Sequence, residues 1–279
     1  MRDVRLIALD LDGTLLDSEK RLSEDNEKEL RRASEAGIEI VPATGRFYRG
    51  MPENVRLLPY VRYVMTINGA DVWDAKEKRT VCGSDIPLRR ALEIMQYLDT
   101  LPVIYDCYMD GWGWMTKDMY DKAEEYAANE HSLRMIKTLR TPVPDLKTHL
   151  AETGHDVQKI QCFFKDMSVR KTELETLQTR FPDASVTTSI VNNVEFNSLQ
   201  ATKGNALRTL AGVLGIEPAQ TMAFGDDLND VSMLREAGIG VAMGNASDEV
   251  KQAADAVTDH CDRNGVAKAI RRIVWGEET

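Results

Sequence analysis

No apolar run in this sequence approaches the roughly 20 residues that a membrane-spanning helix needs, so no membrane span is expected. Cysteine is scarce: Cys82, Cys107, Cys162 and Cys261 lie far apart and form no Cys-x-x-Cys, which points to four reduced thiols. Positive charge is in deficit. Thirty-five Lys and Arg stand against 45 Asp and Glu, a net charge of −10, which argues against broad binding to nucleic acid or to an anionic membrane. A small anionic substrate is not excluded, because a local pocket can oppose the overall sign. The first residues lack the apolar core and cleavage site of a signal peptide, so the cytoplasm is the expected compartment, where Asn245-Ala246-Ser247 would be an idle glycosylation pattern. Internal repeats and low-complexity tracts are also missing. What remains is a globular composition, 43% hydrophobic and 29% charged over 279 residues, enough for one large domain or two ordinary ones.

The most informative segment is Asp10-Leu11-Asp12-Gly13-Thr14, which closes the apolar run 4–9. Such a run reads as a strand covered on both faces. Ligands of open α/β sheets bind beyond the carboxyl ends of the strands, where these two acids, a turn glycine and a hydroxyl would stand. Strand and helix signals then alternate: a helix capped by Ser23 and ending near Gly37, strand 38–41, a helix starting near Arg46, and strand 63–67 leading into the Asn68-Gly69 turn. This βαβαβ order implies a parallel sheet with helices on both faces. The stretch 83–191 differs, with the order helix, strand, helix, helix, strand, helix, strand. It includes strand 103–109 before an Asp110-Gly111 turn, a break at Thr141-Pro142-Val143-Pro144, strand 157–164 and helix 168–180. Alternation returns with helix 203–214, strand 221–224, a helix ending at Ala237, strand 238–243 and a terminal helix over 266–275. The expected fold is therefore a Rossmann-like, doubly wound α/β core over 1–82 and 192–279, with an α+β module inserted at 83–191.

Four polar clusters fall at strand ends or helix starts: Asp10/Asp12/Thr14, Thr44-Gly45-Arg46, Lys203-Gly204, and Asp226-Asp227-Leu228-Asn229-Asp230. Taken singly, the second reads equally as a helix cap, Lys203 as a surface lysine and the last as a solvated turn. Taken together at one sheet edge, their carboxylates would repel unless a cation sat among them. Oxygen-only ligands suit Mg²⁺, which shares itself with substrate phosphate. A metal with a lysine and a threonine hydroxyl makes a pocket for a dianion, and glycine turns add backbone N–H donors. An aspartate there can attack phosphorus and form an aspartyl-phosphate. A second acid can protonate the leaving oxygen and then activate water.

These four segments, in this order, resemble the motifs of the haloacid dehalogenase superfamily. The long insertion resembles the large αβ cap of its Cof-type phosphatases, as do Ile67-Asn68-Gly69-Ala70, Val241-Ala242-Met243-Gly244-Asn245-Ala246 and Asn264-Gly265-Val266. The resemblance covers the core throughout and the cap in layout only. It implies Asp10 as nucleophile and Mg²⁺ ligand, and Asp12 as general acid/base with its backbone carbonyl on the metal. Asp226 is the further carboxylate ligand. Asp227 joins the metal group, and Asp230 orients it. Leu11 (through its backbone N–H), Thr44, Gly45, Lys203 and Asn229 would bind phosphate. One departure is the segment Asn197-Ser198-Leu199-Gln200-Ala201-Thr202, where many relatives carry Pro and Gly. An aspartate at position 12 implies transfer to water, or to a sugar hydroxyl in a mutase.

The resulting expectation is a Mg²⁺-dependent phosphomonoester hydrolase acting on small phosphorylated metabolites, sugar phosphates in particular, without an obligate protein partner. A phosphosugar mutase and a catalytically weak phosphate sensor are the alternatives. In the insertion, Tyr105, Tyr108, Trp112 and Trp114 are candidates either for stacking on a substrate ring or for hairpin packing. His131, His149 and His155 show no metal spacing. Arg46 is a candidate for facing the substrate or for pairing with a carboxylate. Met222, Met233 and Met243 read as core filler.

Overall fold

The computed structural model describes residues 3–277, and its chain divides into two compact units, Met1–Gly83 with Ala201–Thr279, and Ser84–Gln200. In chain order the strands are β1 (Leu6–Asp10), β2 (Glu39–Ala43), β3 (Tyr63–Thr66), β4 (Asp71–Asp74) and β5 (Arg79–Gly83) in the first unit. The second unit holds β6 (Val103–Met109), β7 (Trp112–Thr116), β8 (Arg140–Val143), β9 (Lys159–Phe164), β10 (Ala184–Thr187) and β11 (Asn193–Ser198). The chain returns to the first unit with β12 (Thr221–Gly225), β13 (Ile239–Ala242) and β14 (Ala256–Val257). No described helix is long and apolar enough to cross a membrane, and all four cysteines are free thiols.

The first sheet has the order β14-β13-β12-β1-β2-β3-β4-β5. It is parallel from β14 to β3, and antiparallel where β4 and β5 extend it, a departure from the all-parallel expectation. Alternate residues feed two cores. Ile7, Leu9, Ile40, Met222 and Phe224 pack on one face; Leu6, Ala8, Val41, Met65 and Ala223 pack on the other. Met222 and Met243 belong to the first core and Met233 to the second. Successive connections leave β1 in one direction through β2 and return on its other side through β12. The order therefore reverses at β1, and the crevice beyond the carboxyl ends of β1, β2 and β12 is the switch point at which such sheets bind ligands.

The helix Lys203–Leu214 runs over the predicted span, between Thr202, whose side chain accepts the Asn205 N–H, and left-handed Gly215. The helix expected after Arg46 does not form. Gly50 and Pro52 divide the segment into a 3₁₀ turn, Tyr48–Gly50, and a four-residue helix, Glu53–Arg56.

The second unit is built on a six-stranded sheet of order β10-β11-β9-β6-β7-β8. Asp110 and Gly111 turn the β6–β7 hairpin with φ of 55° and 68°. β8 stands where a break was expected: Pro142 is tolerated because β8 is the edge strand. This unit ends at Gln200 rather than at residue 191, because β11 is hydrogen-bonded between β9 and β10. Tyr105 lies in the apolar core with its hydroxyl on Asp99. Tyr108 accepts a hydrogen bond from Arg140 at 2.9 Å, Trp112 donates to Thr141, and Trp114 stacks on His149 with centroids 4.5 Å apart. These aromatics are engaged in packing the hairpin. His155 pairs with Asp110, and His131 contacts Arg134.

Candidate active site

Lys203 organises the site. It is fully buried, and its ammonium donates to Asp10 Oδ1 and Asp230 Oδ1, each at 2.6 Å. A cation at the first position of a helix opposes the macrodipole, and burying it costs still more. Two carboxylates at hydrogen-bond distance are what hold it there. Burial would strip its proton, but Asp10 and Asp230 outweigh that and raise its pKa above the usual lysine value.

The carboxylates come from two adjacent parallel strands, Asp10 from the end of β1 and Asp226 from just beyond β12. Burial pushes the Asp10 carboxyl up to about 7; Lys203 opposes the rise, while Asp230 and Asp226 add to it. Burial also raises Asp226, against the Thr14 hydroxyl that donates to it at 2.7 Å, with Asp230 and Asp227 adding to the rise. Asp230 is engaged throughout. Its Oδ1 takes Lys203, and its Oδ2 accepts the backbone N–H groups of Asp226 and Asp227. It fixes the turn after β12 and the lysine together.

One oxygen each from Asp10, Asp226 and Asp230 lies within 4.8 Å of the other two. A set of carboxylates, two of them pushed upward first by burial and further by neighbouring carboxylates, is the environment that a hard divalent cation relieves. With Asp230 committed to Lys203 and the backbone, Asp10 and Asp226 are the side chains that fit such an ion. Asp227 stands outside this group. It adopts an extended conformation as the cap of the turn Leu228–Asp230, and its carboxylate accepts the Leu228 N–H at 2.7 Å. Asp227, expected in the metal group, is not among the three carboxylates that the structure draws together here.

Asp12, two residues beyond Asp10, faces a different environment. Arg46 reaches it at 3.1 Å and Lys20 at 3.0 Å. Partial burial would raise its pKa, but these cations, Arg46 foremost, hold it below the usual carboxylate range. Of the two roles considered for Arg46, pairing with a carboxylate is the one realised. Thr44 is buried at the end of β2, with its hydroxyl accepting the Arg46 N–H at 3.2 Å. Asn229 donates to Asn68 Oδ1 at 3.1 Å, and Gly45 packs against Asn68 closely enough that a Cβ would meet Oδ1 at 3.1 Å. The Leu11 side chain lies in the core, which leaves only its backbone for the site.

Asn245, within the segment 241–246 that carries part of the resemblance, is a site residue to which the sequence assigned no role. Its amide donates to the Gly13 carbonyl at 2.8 Å and to Asp226 Oδ2 at 3.2 Å, tying the loops after β1 and β12 together. The available signal was position: Asn245 follows β13, the next parallel strand along the same edge. Gly13 is required at this junction. Its φ is +93°, and a Cβ would stand 2.4 Å from Asp226 Oδ2. Gly13→Ala is therefore expected to displace Asp226, lower stability by about 1–3 kcal/mol and reduce activity at least tenfold. A variant with wild-type melting and turnover would refute the argument.

A family profile for the haloacid dehalogenase-like hydrolases matches residues 7–270. The chain belongs to that family. Within it, the chain is 33% identical to the 5-amino-6-(5-phospho-D-ribitylamino)uracil phosphatase YcsE of Bacillus subtilis over 98% of its own length and 96% of the relative's. It is 27% identical to the pyridoxal phosphate phosphatase YbhA of Escherichia coli, over 95% and 97%. Among solved structures, one from Thermotoga maritima superposes with a TM-score of 0.83 at 28% identity, covering 97% of both chains. A haloacid dehalogenase-like hydrolase from Bacillus subtilis gives 0.75 at 32% identity, covering 97% and 100%. The chain is a phosphatase of this family, of the Cof type.

Proposed function

We propose that this chain is a Mg²⁺-dependent phosphomonoester hydrolase working through an aspartyl-phosphate on Asp10, with small phosphorylated metabolites, sugar phosphates in particular, as substrates and the cytoplasm as its compartment. The observation that carries the reading is Lys203 held between Asp10 and Asp230, with Asp226 beside them. The inserted unit Ser84–Gln200 is assigned the selection of the leaving group. Relatives named for a phosphoribitylamino-uracil and for pyridoxal phosphate support a small-molecule substrate.

In the first step an Asp10 oxygen attacks phosphorus, the bond to the leaving oxygen breaks, and that oxygen takes a proton from Asp12. In the second, water attacks phosphorus and gives its proton to Asp12. The bond to Asp10 breaks, and inorganic phosphate leaves. Thr44, Asn229 and the Leu11 N–H bind the phosphoryl oxygens, while Lys203 orients the Asp10 carboxylate. Bound Mg²⁺, held by Asp10, Asp226 and the Asp12 carbonyl, would offset the repulsion between these acids and a phosphate dianion. Asp12 paired with Arg46 and Lys20 is in its basic form, ready for the second step. Acting as the acid in the first requires those contacts to yield to substrate.

The test is phosphate release, with Mg²⁺ and with chelator, from an aryl phosphate and from a panel of phosphorylated metabolites. Turnover that needs the metal is expected. No release from any ester refutes the hydrolase reading, and isomerised sugar phosphate with little free phosphate identifies a mutase. Asp12→Asn should slow alkyl phosphates by about 10²- to 10⁴-fold, and an aryl phosphate, whose leaving group needs less protonation, by less in the first step. Equal losses at that step would remove Asp12 from leaving-group protonation.

A further inference from the structure

Among the described residues outside the phosphatase site, one group of side chains combines a nitrogen, a sulfur and an oxygen donor. His260, Cys261 and Asp262 lie where the chain leaves the sheet after β14 and enters the turn Cys261–Arg263. Their donor atoms converge although the residues are consecutive. Cys261 Sγ is 3.5 Å from His260 Nδ1, His260 Nδ1 is 3.5 Å from Asp262 Oδ2, and Cys261 Sγ is 3.7 Å from Asp262 Oδ1.

Those separations have a chemical meaning. A tetrahedral zinc ion holds N and O at about 2.0–2.1 Å and S at about 2.3 Å. At tetrahedral angles these lengths place N and S about 3.6 Å apart, N and O about 3.3 Å, and S and O about 3.5 Å. The Cys261 Sγ to His260 Nδ1 edge, 3.5 Å, matches that tetrahedron; the Asp262 carboxylate reaches His260 through Oδ2 at 3.5 Å and Cys261 through Oδ1 at 3.7 Å, so its two oxygens share the third corner. We propose that His260, Cys261 and Asp262 form a second metal site, one for a borderline-soft divalent cation of the Zn²⁺ class, with water as the fourth ligand. The ligand set separates it from the oxygen-only group at Asp10 and Asp226, which suits a harder ion.

The surroundings hold the donors in place. The Cys261 N–H donates to Asn245 Oδ1 at 3.0 Å, and Asp262 Oδ1 accepts the Ser18 N–H at 2.8 Å. The His260 carbonyl accepts the N–H groups of both Arg263 and Gly265. His260 Nδ1 already presents its lone pair inward, accepting the Asp262 N–H at a long 3.2 Å. The His260 and Asp262 side chains are 37% and 42% exposed, while Cys261 is 5% exposed. On binding, the Cys261 S–H bond breaks, its proton passes to solvent, and a sulfur–metal bond forms. His260 Nδ1 exchanges the Asp262 N–H for the ion.

The probe is Co²⁺, added to the full chain in the presence of excess Mg²⁺. One equivalent is expected to develop a thiolate-to-cobalt charge-transfer absorption that Zn²⁺ then displaces. Cys261→Ser should abolish the band, and Cys82→Ser should leave it unchanged. His260→Ala, at a partly exposed position, should weaken Co²⁺ binding at least about tenfold with the circular dichroism spectrum unaltered. It decides the matter if Cys261→Ser fails to fold. Absence of a charge-transfer band, its survival in Cys261→Ser, or undiminished binding in His260→Ala overturns the proposal.

Discussion

Asp10→Asn is expected to abolish turnover, by on the order of 10⁴-fold or more, and to leave no phosphorylated enzyme after acid quench, while the protein stays folded. The amide oxygen of asparagine can still accept from Lys203, which donates to Asp10 at 2.6 Å in the native chain, so the buried lysine keeps both neighbours. What is lost is the nucleophile. Stability should behave in the opposite sense to activity. Burial raises the Asp10 pKa to about 7, so in the absence of metal its ionisation is harder in the folded state than in the unfolded one. Such a group adds stability while protonated and loses it as pH rises, here from about pH 4 to about 7. The variant lacks that loss. Its melting temperature should match the native protein's at low pH and rise relative to it toward neutrality, without metal. A variant that keeps more than about a hundredth of native turnover would show that Asp10 is not the attacking group. One that melts well below the native protein at pH 7 would show that the carboxylate is there for the fold.

The parts of this site that were legible in the sequence are those that local chemistry constrains. An apolar run ending in Asp-x-Asp-Gly-Thr can hardly be other than a buried strand opening into a polar loop, and β1 ends at Asp10. Thr202 and Gly215 bracket the helix Lys203–Leu214 with a side-chain cap and a left-handed stop, so its ends were readable from single residues. What was not legible depends on partners remote in sequence. Asn245 matters because Gly13 and Asp226 lie beside it, 232 and 19 residues away, and its own segment, though it carries part of the resemblance, does not name those partners. Asp226 and Asp227 are indistinguishable as letters. Only the extended backbone at Asp227 and its bond to Leu228 set its surroundings apart from those of Asp226. In the second unit, β8 was hidden by Pro142, which only an edge position excuses. The return boundary was misplaced because β11 alternates Val194 and Phe196 with Asn193, Glu195 and Asn197. Such a strand belongs to whichever sheet its neighbours supply, and its neighbours are β9 and β10.

Lys203→Met should be the most damaging single change to the fold of the first unit and should also silence the enzyme. Methionine keeps the length of the stem and removes the ammonium. That leaves Asp10 and Asp230 facing each other across the space the charge occupied, with Asp230 fully buried. Removing one partner of a buried ion pair costs about 3–5 kcal/mol, which for a unit of this size corresponds to a fall of roughly 10 °C in melting temperature. The consequence for chemistry is separate, since without the ammonium the nucleophile loses the group that orients it. Lys203→Met/Asp230→Asn distinguishes the two effects. Taking one carboxylate out of the pocket relieves the repulsion, so the double variant should recover a large share of the lost stability. Turnover should stay at the level of the single variant, because Asp10 still lacks its cation. If stability and activity return together, Lys203 acts only by keeping the site folded. If neither returns, the Asp230 carboxylate itself is needed to accept the Asp226 and Asp227 N–H groups, and the turn after β12, not the lysine, is what the single variant breaks.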